Sequence, residues 1–177
     1  SQLQLAVDKA VVESLPFDEQ GVMHYVLGLA LHRAERDPQA IAAYKQALAL
    51  NPADAECRLE LAQLYLQQRA YADAAQQAEE ALRLGLADAA DQALARGIGN
   101  EAQARKLYAE GKELLKARKG AEAAARLKEA IVKAREANLP LEEQALSHYL
   151  LGLALSRQDR DEEAIAAFRE ALRLSPN

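Results

Sequence analysis

The chain carries a long copy of part of itself. Residues 15 to 52, LPFDEQGVMHYVLGLALHRAERDPQAIAAYKQALALNP, align without a gap to residues 139 to 176, LPLEEQALSHYLLGLALSRQDRDEEAIAAFREALRLSP, with 22 identities over 38 positions. A duplication of this length requires both segments to form the same supersecondary unit. A unit so short cannot bury an apolar face alone, so it must stack on neighbours of its own kind.

Each copy reads as two amphipathic helices joined by a short polar turn. Apolar residues run from Val22 to Leu31, the turn holds Arg36 and Asp37 with Pro38 at a helix start, and Ala40 to Leu50 carries a second stripe before Asn51 and Pro52 end it. Residue choice agrees: the chain has 40 Ala, no Thr or Trp, and only ten Val and Ile together. The β-branched and aromatic types that build strands are avoided, and strong helix formers dominate. Gly28 and Ala40 are small where two helices must cross closely, and Tyr44 is the large side chain that fills the gap between hairpins.

Leu27, Gly28, Leu31, Ala40, Tyr44, Ala47 and Pro52 in the first copy, and Leu151, Gly152, Leu155, Ala164, Phe168, Ala171 and Pro176 in the last, resemble the tetratricopeptide repeat (TPR), with His24 and His148 where the pattern has an early Trp. Leu61, Ala62, Tyr65, Ala74, Ala78 and Ala81 mark a second unit, and Gly111, Leu114, Ala123, Leu127 and Ala130 a third. The resemblance implies an all-α fold, an α-α superhelix or solenoid of antiparallel helix hairpins. Repeat units are expected at 15–53, 54–86, 101–137 and 138–177. Residues 87–100 are expected to be a degenerate short helix that breaks at Gly97-Ile98-Gly99, with Asn100 as the next N-cap. Residues 1–14 read as the second helix of a truncated preceding repeat, because Leu3, Ala6, Lys9 and Ala10 match Leu127, Ala130, Lys133 and Ala134. With Ser1 in place of Met, this register implies a piece of a longer TPR protein of bacterial style.

An enzyme needs a nucleophile, a base or a metal, and the inventory is thin: three His, one Cys, five scattered Ser and no glycine-rich phosphate loop. His24 and His148 fall at equivalent repeat positions, which predicts core packing. Cys57 reads as a small apolar helix residue. No spacing suggests a metal, so neither catalysis, metal nor cofactor is expected. The net charge of −5 argues against nucleic acid as a partner, and no run is long enough to span a membrane. A single cysteine leaves cytoplasm and bacterial periplasm both open.

In the family that the motifs resemble, the first helices of successive units line a concave groove. The resemblance places Tyr25, Leu29 and Arg33, then Leu59 and Gln63, then Tyr108, Lys112 and Lys116, then Tyr149, Leu153 and Arg157 on it. Tyr25, Leu29, Leu59 and Gln63 do not match the Lys and Asn clamp that holds acidic C-terminal tails, so an amphipathic helix or apolar peptide is the expected ligand. Residues 53 to 95 hold eight acids and three bases, and residues 100 to 135 ten bases and five acids, with i to i+4 pairs such as Glu129 with Lys133 expected. The resulting expectation is a protein-interaction scaffold of a larger assembly. Its alternatives are a ligand-sensing regulatory domain, an RNA-reading repeat, or a part of a bacterial secretion, exopolysaccharide-export or pilus machine. Apolar residues at both ends, Leu3, Leu5, Val7 and Val11 at one and Phe168 and Leu172 at the other, predict head-to-tail self-association.

Overall fold

The computed structural model describes residues 17–176, and the expected helix over residues 1–14 lies outside them. The described residues form eight α-helices: α1 Phe17–Arg33, α2 Asp37–Leu50, α3 Ala55–Gln67, α4 Tyr71–Leu84, α5 Ala89–Lys116, α6 Gly120–Glu136, α7 Leu141–Ser156 and α8 Asp161–Leu174. The protein is all-α and built of antiparallel helix hairpins. It divides into two compact units, Ser1–Arg96 and Gly97–Asn177. In the first, α1 pairs with α2, α3 pairs with α4, and α2 lies against α3; in the second, α6 lies against α7, and α7 pairs with α8.

One interlock closes the hairpins. A Cβ added to Gly152 would fall 2.6 Å from the ring of Phe168, one added to Gly111 would fall 2.6 Å from Leu127, and one added to Gly28 would strike the ring of Tyr44 closer still. Each large side chain stands 16 residues after its glycine. The missing Cβ lets a bulky group of the second helix lie directly on the backbone of the first. Tyr44 and Leu127 are fully buried as a result, and the facing Ala40 and Ala123 are buried with them. The α3–α4 hairpin solves the same problem with Ala62 and Ala78, both fully buried, so that two medium groups replace a void and a bulk.

The turns between helices are also repeated. Glu35, Arg69, Arg118, Asn138 and Asp159 all have φ between 51° and 60°. In each case the next N–H reaches back five residues: Arg36 donates to the Leu31 carbonyl, Ala70 to Tyr65, Lys119 to Leu114, Leu139 to Ala134 and Arg160 to Leu155, at 2.8 to 3.2 Å. These are Schellman turns, which satisfy carbonyls left open at a helix end. The Asp54 carboxylate closes the start of α3 by accepting from the Cys57 N–H at 2.9 Å.

Two expectations fail here. α5 runs unbroken through Gly97, Ile98 and Gly99, and Asn100 sits inside it as acceptor for the Lys133 ammonium at 3.1 Å. Two glycines cost a helix about 2 kcal/mol relative to alanine, and burial of Ala95, Ile98, Ala102 and Ala104 along the same helix offsets that. The division between the two units nonetheless falls at Arg96 and Gly97. Glu129 does not pair with Lys133: it takes Arg126 at 3.3 Å, while Lys133 takes Glu136 at 2.7 Å. On a helix, i+3 partners compete with i+4 partners at similar cost, and Asn100 draws Lys133 away.

His148 is buried, and its Nε2 stands 3.2 Å from the Arg135 guanidinium. Burial first, and Arg135 second, hold its pKa below the usual 6.5 against the opposing pull of Glu170. His24, at the equivalent repeat position, is only half-buried.

Two measurements follow. Gly28→Ala should destabilise the chain by about 2 kcal/mol in urea unfolding, because overpacking against an immobile ring outweighs the helix propensity gained; adding Tyr44→Leu should recover part of that loss, and simple additivity would exclude the interlock. For His148, the folded state resists protonation, so the unfolded state binds more protons as pH falls below 6.5 and stability declines. His148→Gln should flatten that decline between pH 6.5 and 5; an unchanged slope would show that the imidazole does not cause it.

Candidate functional site

The candidate binding surface is built from the first helices of the hairpins. α1 and α7 are apolar nearly all round, so burying one face on α2 or α8 leaves apolar residues on the others. In the first unit, Tyr25 and Leu29 pack half-buried against the cluster of Leu27, Leu31, Tyr44, Cys57 and Leu61. The Tyr25 ring centroid is 6.0 Å from that of Tyr44, tilted by 40°. Burial, followed by Glu60, Glu56 and Asp54, pushes the Tyr25 hydroxyl up to about 12. Glu60 is itself raised by burial, with His32 opposing. Arg33 is exposed and Gln63 half-buried, while Leu59 is only 4% exposed and presents no surface.

In the second unit, Tyr108 and Leu153 pack half-buried against the cluster of Leu127, Leu151 and Leu155. Lys112 is exposed, and Lys116, also exposed, is paired with Glu113 at 2.6 Å. The Arg157 guanidinium donates to the Leu115 carbonyl at 2.6 Å, which ties the end of α7 to the end of α5 and occupies one face of the group. Tyr149 is 48% exposed, with its ring 5.9 Å from Phe168.

Tyr149 turns toward a surface that the groove assignment did not include. With Ala145, Leu146, Phe168, Ala171 and Leu172 it lines an open apolar trough of about 500 Å³ on α7 and α8. Leu146 and Leu172 are more than half exposed. The sequence signal for this trough is the stripe ending in Phe168 and Leu172; the number of apolar neighbours flanking it is a tertiary property.

Most of the basic excess over residues 100 to 135 is neutralised locally. Lys106, Lys119, Lys128 and Arg135 each reach a carboxylate within 4 Å, as do Arg105, Arg126, Lys116 and Lys133. Among the described residues no group of three or more His, Cys, Asp or Glu could hold a metal ion, and no helix is long and apolar enough to cross a membrane. Cys57 is fully buried, and burial, then Asp54, raises its thiol to about 12. A thiol held protonated and out of solvent is not a nucleophile.

Comparison with known proteins places these features. Residues 28–68 match the family model described as TPR repeat, and residues 108–177 the model described as Tetratricopeptide repeat. A search of curated proteins returned no match. Among solved structures, the chain is similar to YrrB, a TPR protein with an unusual peptide-binding site, at 17% identity over 97% of this chain and 93% of that one, TM-score 0.45. It is similar to two structures of MamA, at 17% identity over 88% and 92% with TM-score 0.48, and at 18% over 84% and 94% with TM-score 0.46. With two matched segments covering most of the hairpins, and the glycine interlock recurring at the pattern positions within them, the chain belongs to the tetratricopeptide-repeat family.

Proposed function

We propose that this chain is a protein-interaction scaffold that holds a peptide or helix of a partner along the first helices of its hairpins, as one part of a larger assembly. The observation that carries this reading is the residual exposure of α1 and α7: after packing on their own hairpin partners, Leu29 and Leu153 stay partly exposed beside charged neighbours. In the first unit the surface consists of Tyr25, Leu29, Arg33 and Gln63, and the buried Leu59 is not part of it. In the second it consists of Tyr108, Lys112, Lys116, Tyr149, Leu153 and Arg157.

An apolar strip with a basic edge suits a ligand that presents apolar side chains at helical spacing, with acidic residues beside them. Lys112 makes no ion pair among the described residues and is open to such an acid. No catalytic step is part of this reading.

A displayed library of helical and extended peptides selected on the intact chain tests it. Selected ligands should be enriched in apolar residues flanked by acids. Leu29→Lys and Leu153→Lys together should weaken them by about tenfold or more, the loss of one or two anchor contacts, while circular dichroism stays helical because a lysine stem can lie along the apolar surface. Selected ligands that bind the double variant as well as the parent would place the binding surface elsewhere.

A further inference from the structure

The first helices of the hairpins share one stripe register but not its chemistry. On α1 the stripe runs through Val22, Val26, Leu29 and Arg33, at i, i+4, i+7 and i+11, and on α3 the positions 34 residues later are Glu56, Glu60, Gln63 and Gln67. Val22 and Val26 are 60% and 44% exposed, Glu56 is exposed and Glu60 half-buried. Tyr25 of α1 packs against the cluster that holds Cys57 and Leu61 of α3, so the two stripes lie side by side. In the second unit the apolar stripe is kept, as Leu146, Leu150 and Leu153 on α7, but the corresponding positions on α5 are Arg105, Lys112 and Lys116. The charge that accompanies the apolar stripe therefore changes sign from one unit to the other.

The carboxylates of the first unit lack the partners found in the second. Glu101, Glu110, Glu113, Glu122 and Glu143 each hold an Arg or Lys within 4 Å. Glu56, Glu60 and Asp91 make no side-chain hydrogen bond or ion pair among the described residues. Glu60 and Glu56 both act on the Tyr25 hydroxyl, and Asp91 acts on Glu60. His32 and Arg33 oppose Asp91 at Glu60, but His32 is engaged with Asp37 at 2.9 Å, which leaves the three carboxylates against one arginine. A polar atom without a partner lies beneath them. Tyr44 is 0% exposed, its hydroxyl has no hydrogen bond among the described residues, and Glu60 is the charge that acts on it most strongly. Phe168 closes the other copy of the hairpin without a hydroxyl, so packing does not require this one.

We propose that the first unit's part of the groove takes a basic amphipathic segment of a partner protein, whose apolar residues cover Val22, Val26 and Leu29 and whose lysines or arginines lie on Glu56 and Glu60. The proposal rests on the groove reading above and gives the first unit the opposite charge preference to the second. A helix is about 10 Å across, so one laid with its apolar face on α1 carries the cations of its flank over α3. There an ammonium or guanidinium supplies the partner that Glu60 lacks, and it brings a donor toward the Tyr44 hydroxyl oxygen. Both units offer an apolar stripe, so shape alone does not tell their ligands apart. Charge does, because a segment that brings acids to α3 is repelled.

Two fluorescein-labelled helical peptides are the probes, identical in length and in leucines at i, i+4 and i+7, one with lysines and the other with glutamates at the flanking positions. Each is titrated onto the intact chain and followed by anisotropy. The lysine peptide should bind saturably. Glu56→Gln together with Glu60→Gln should weaken it about tenfold, as should Leu29→Lys, while Glu79→Gln, at an exposed acid elsewhere in the unit, leaves it unchanged. Glutamine keeps the size and helix propensity of glutamate, so the double variant keeps its fold, which circular dichroism checks. Absence of lysine-peptide binding overturns the proposal, as does equal binding to the double variant or an equal loss in Glu79→Gln, which would mean diffuse attraction. A glutamate peptide held more tightly than the lysine peptide, in a manner that depends on Leu29, overturns it too but leaves the groove reading standing. Binding of both peptides that ignores Leu29→Lys and Leu153→Lys would overturn the groove reading and this proposal with it.

Discussion

The structure depends on the contact between a helix backbone with no side chain and a bulky group 16 residues later. Where Gly28 meets Tyr44, Gly111 meets Leu127 and Gly152 meets Phe168, the separation of two helices is set by the thickness of one side chain. That separation decides which other positions can be filled: Ala40, Ala123 and Ala164 face it and are buried. Interiors are packed like organic crystals, so a change of one methyl at such a point is felt through both helices of the hairpin. The abundance of alanine follows from the same geometry. Helices held this close leave little room for larger groups between them.

The interlock would not act on its own without turns that return the chain at a fixed angle. Among the described residues, five that are not glycine adopt the left-handed conformation to provide them, at a cost of roughly 1 kcal/mol each. The hydrogen bond from the following N–H to the carbonyl five residues back recovers a group that would otherwise be left open. Turn and interlock act together: the first aims the second helix, and the second fixes its depth. The hydroxyl of Tyr44 shows how strongly packing dominates here. It is buried with no hydrogen-bond partner among the described residues, and the other copy has Phe168 in its place.

The interior copy and the last copy of the duplicated hairpin are nearly the same in sequence but present different surfaces. Under α3, Tyr25 and Leu48 belong to a core; on α7 and α8, Tyr149 and Leu172 belong to a trough. A side chain in a repeat protein has no fixed role as core or surface. Its role is assigned by the neighbour that stacks on it, since each unit touches only the units beside it.

The all-α class, the hairpin unit, the glycine and aromatic pairs and the position of the repeats could all be read from residue order, because they follow from periodicity and from local size: Gly28 with Tyr44 and Gly152 with Phe168 stand at the same spacing in two aligned segments. Other features came only with the folded chain. Continuous helix through Gly97 and Gly99, the burial of Leu59, the Arg157 contact with the Leu115 carbonyl and the pairing of Lys133 with Asn100 each depend on atoms far away in sequence. Propensity and pattern are sums over neighbouring residues and so are written in the sequence. Burial and ion pairing are decided by which distant helix arrives, and only the tertiary structure brings it there.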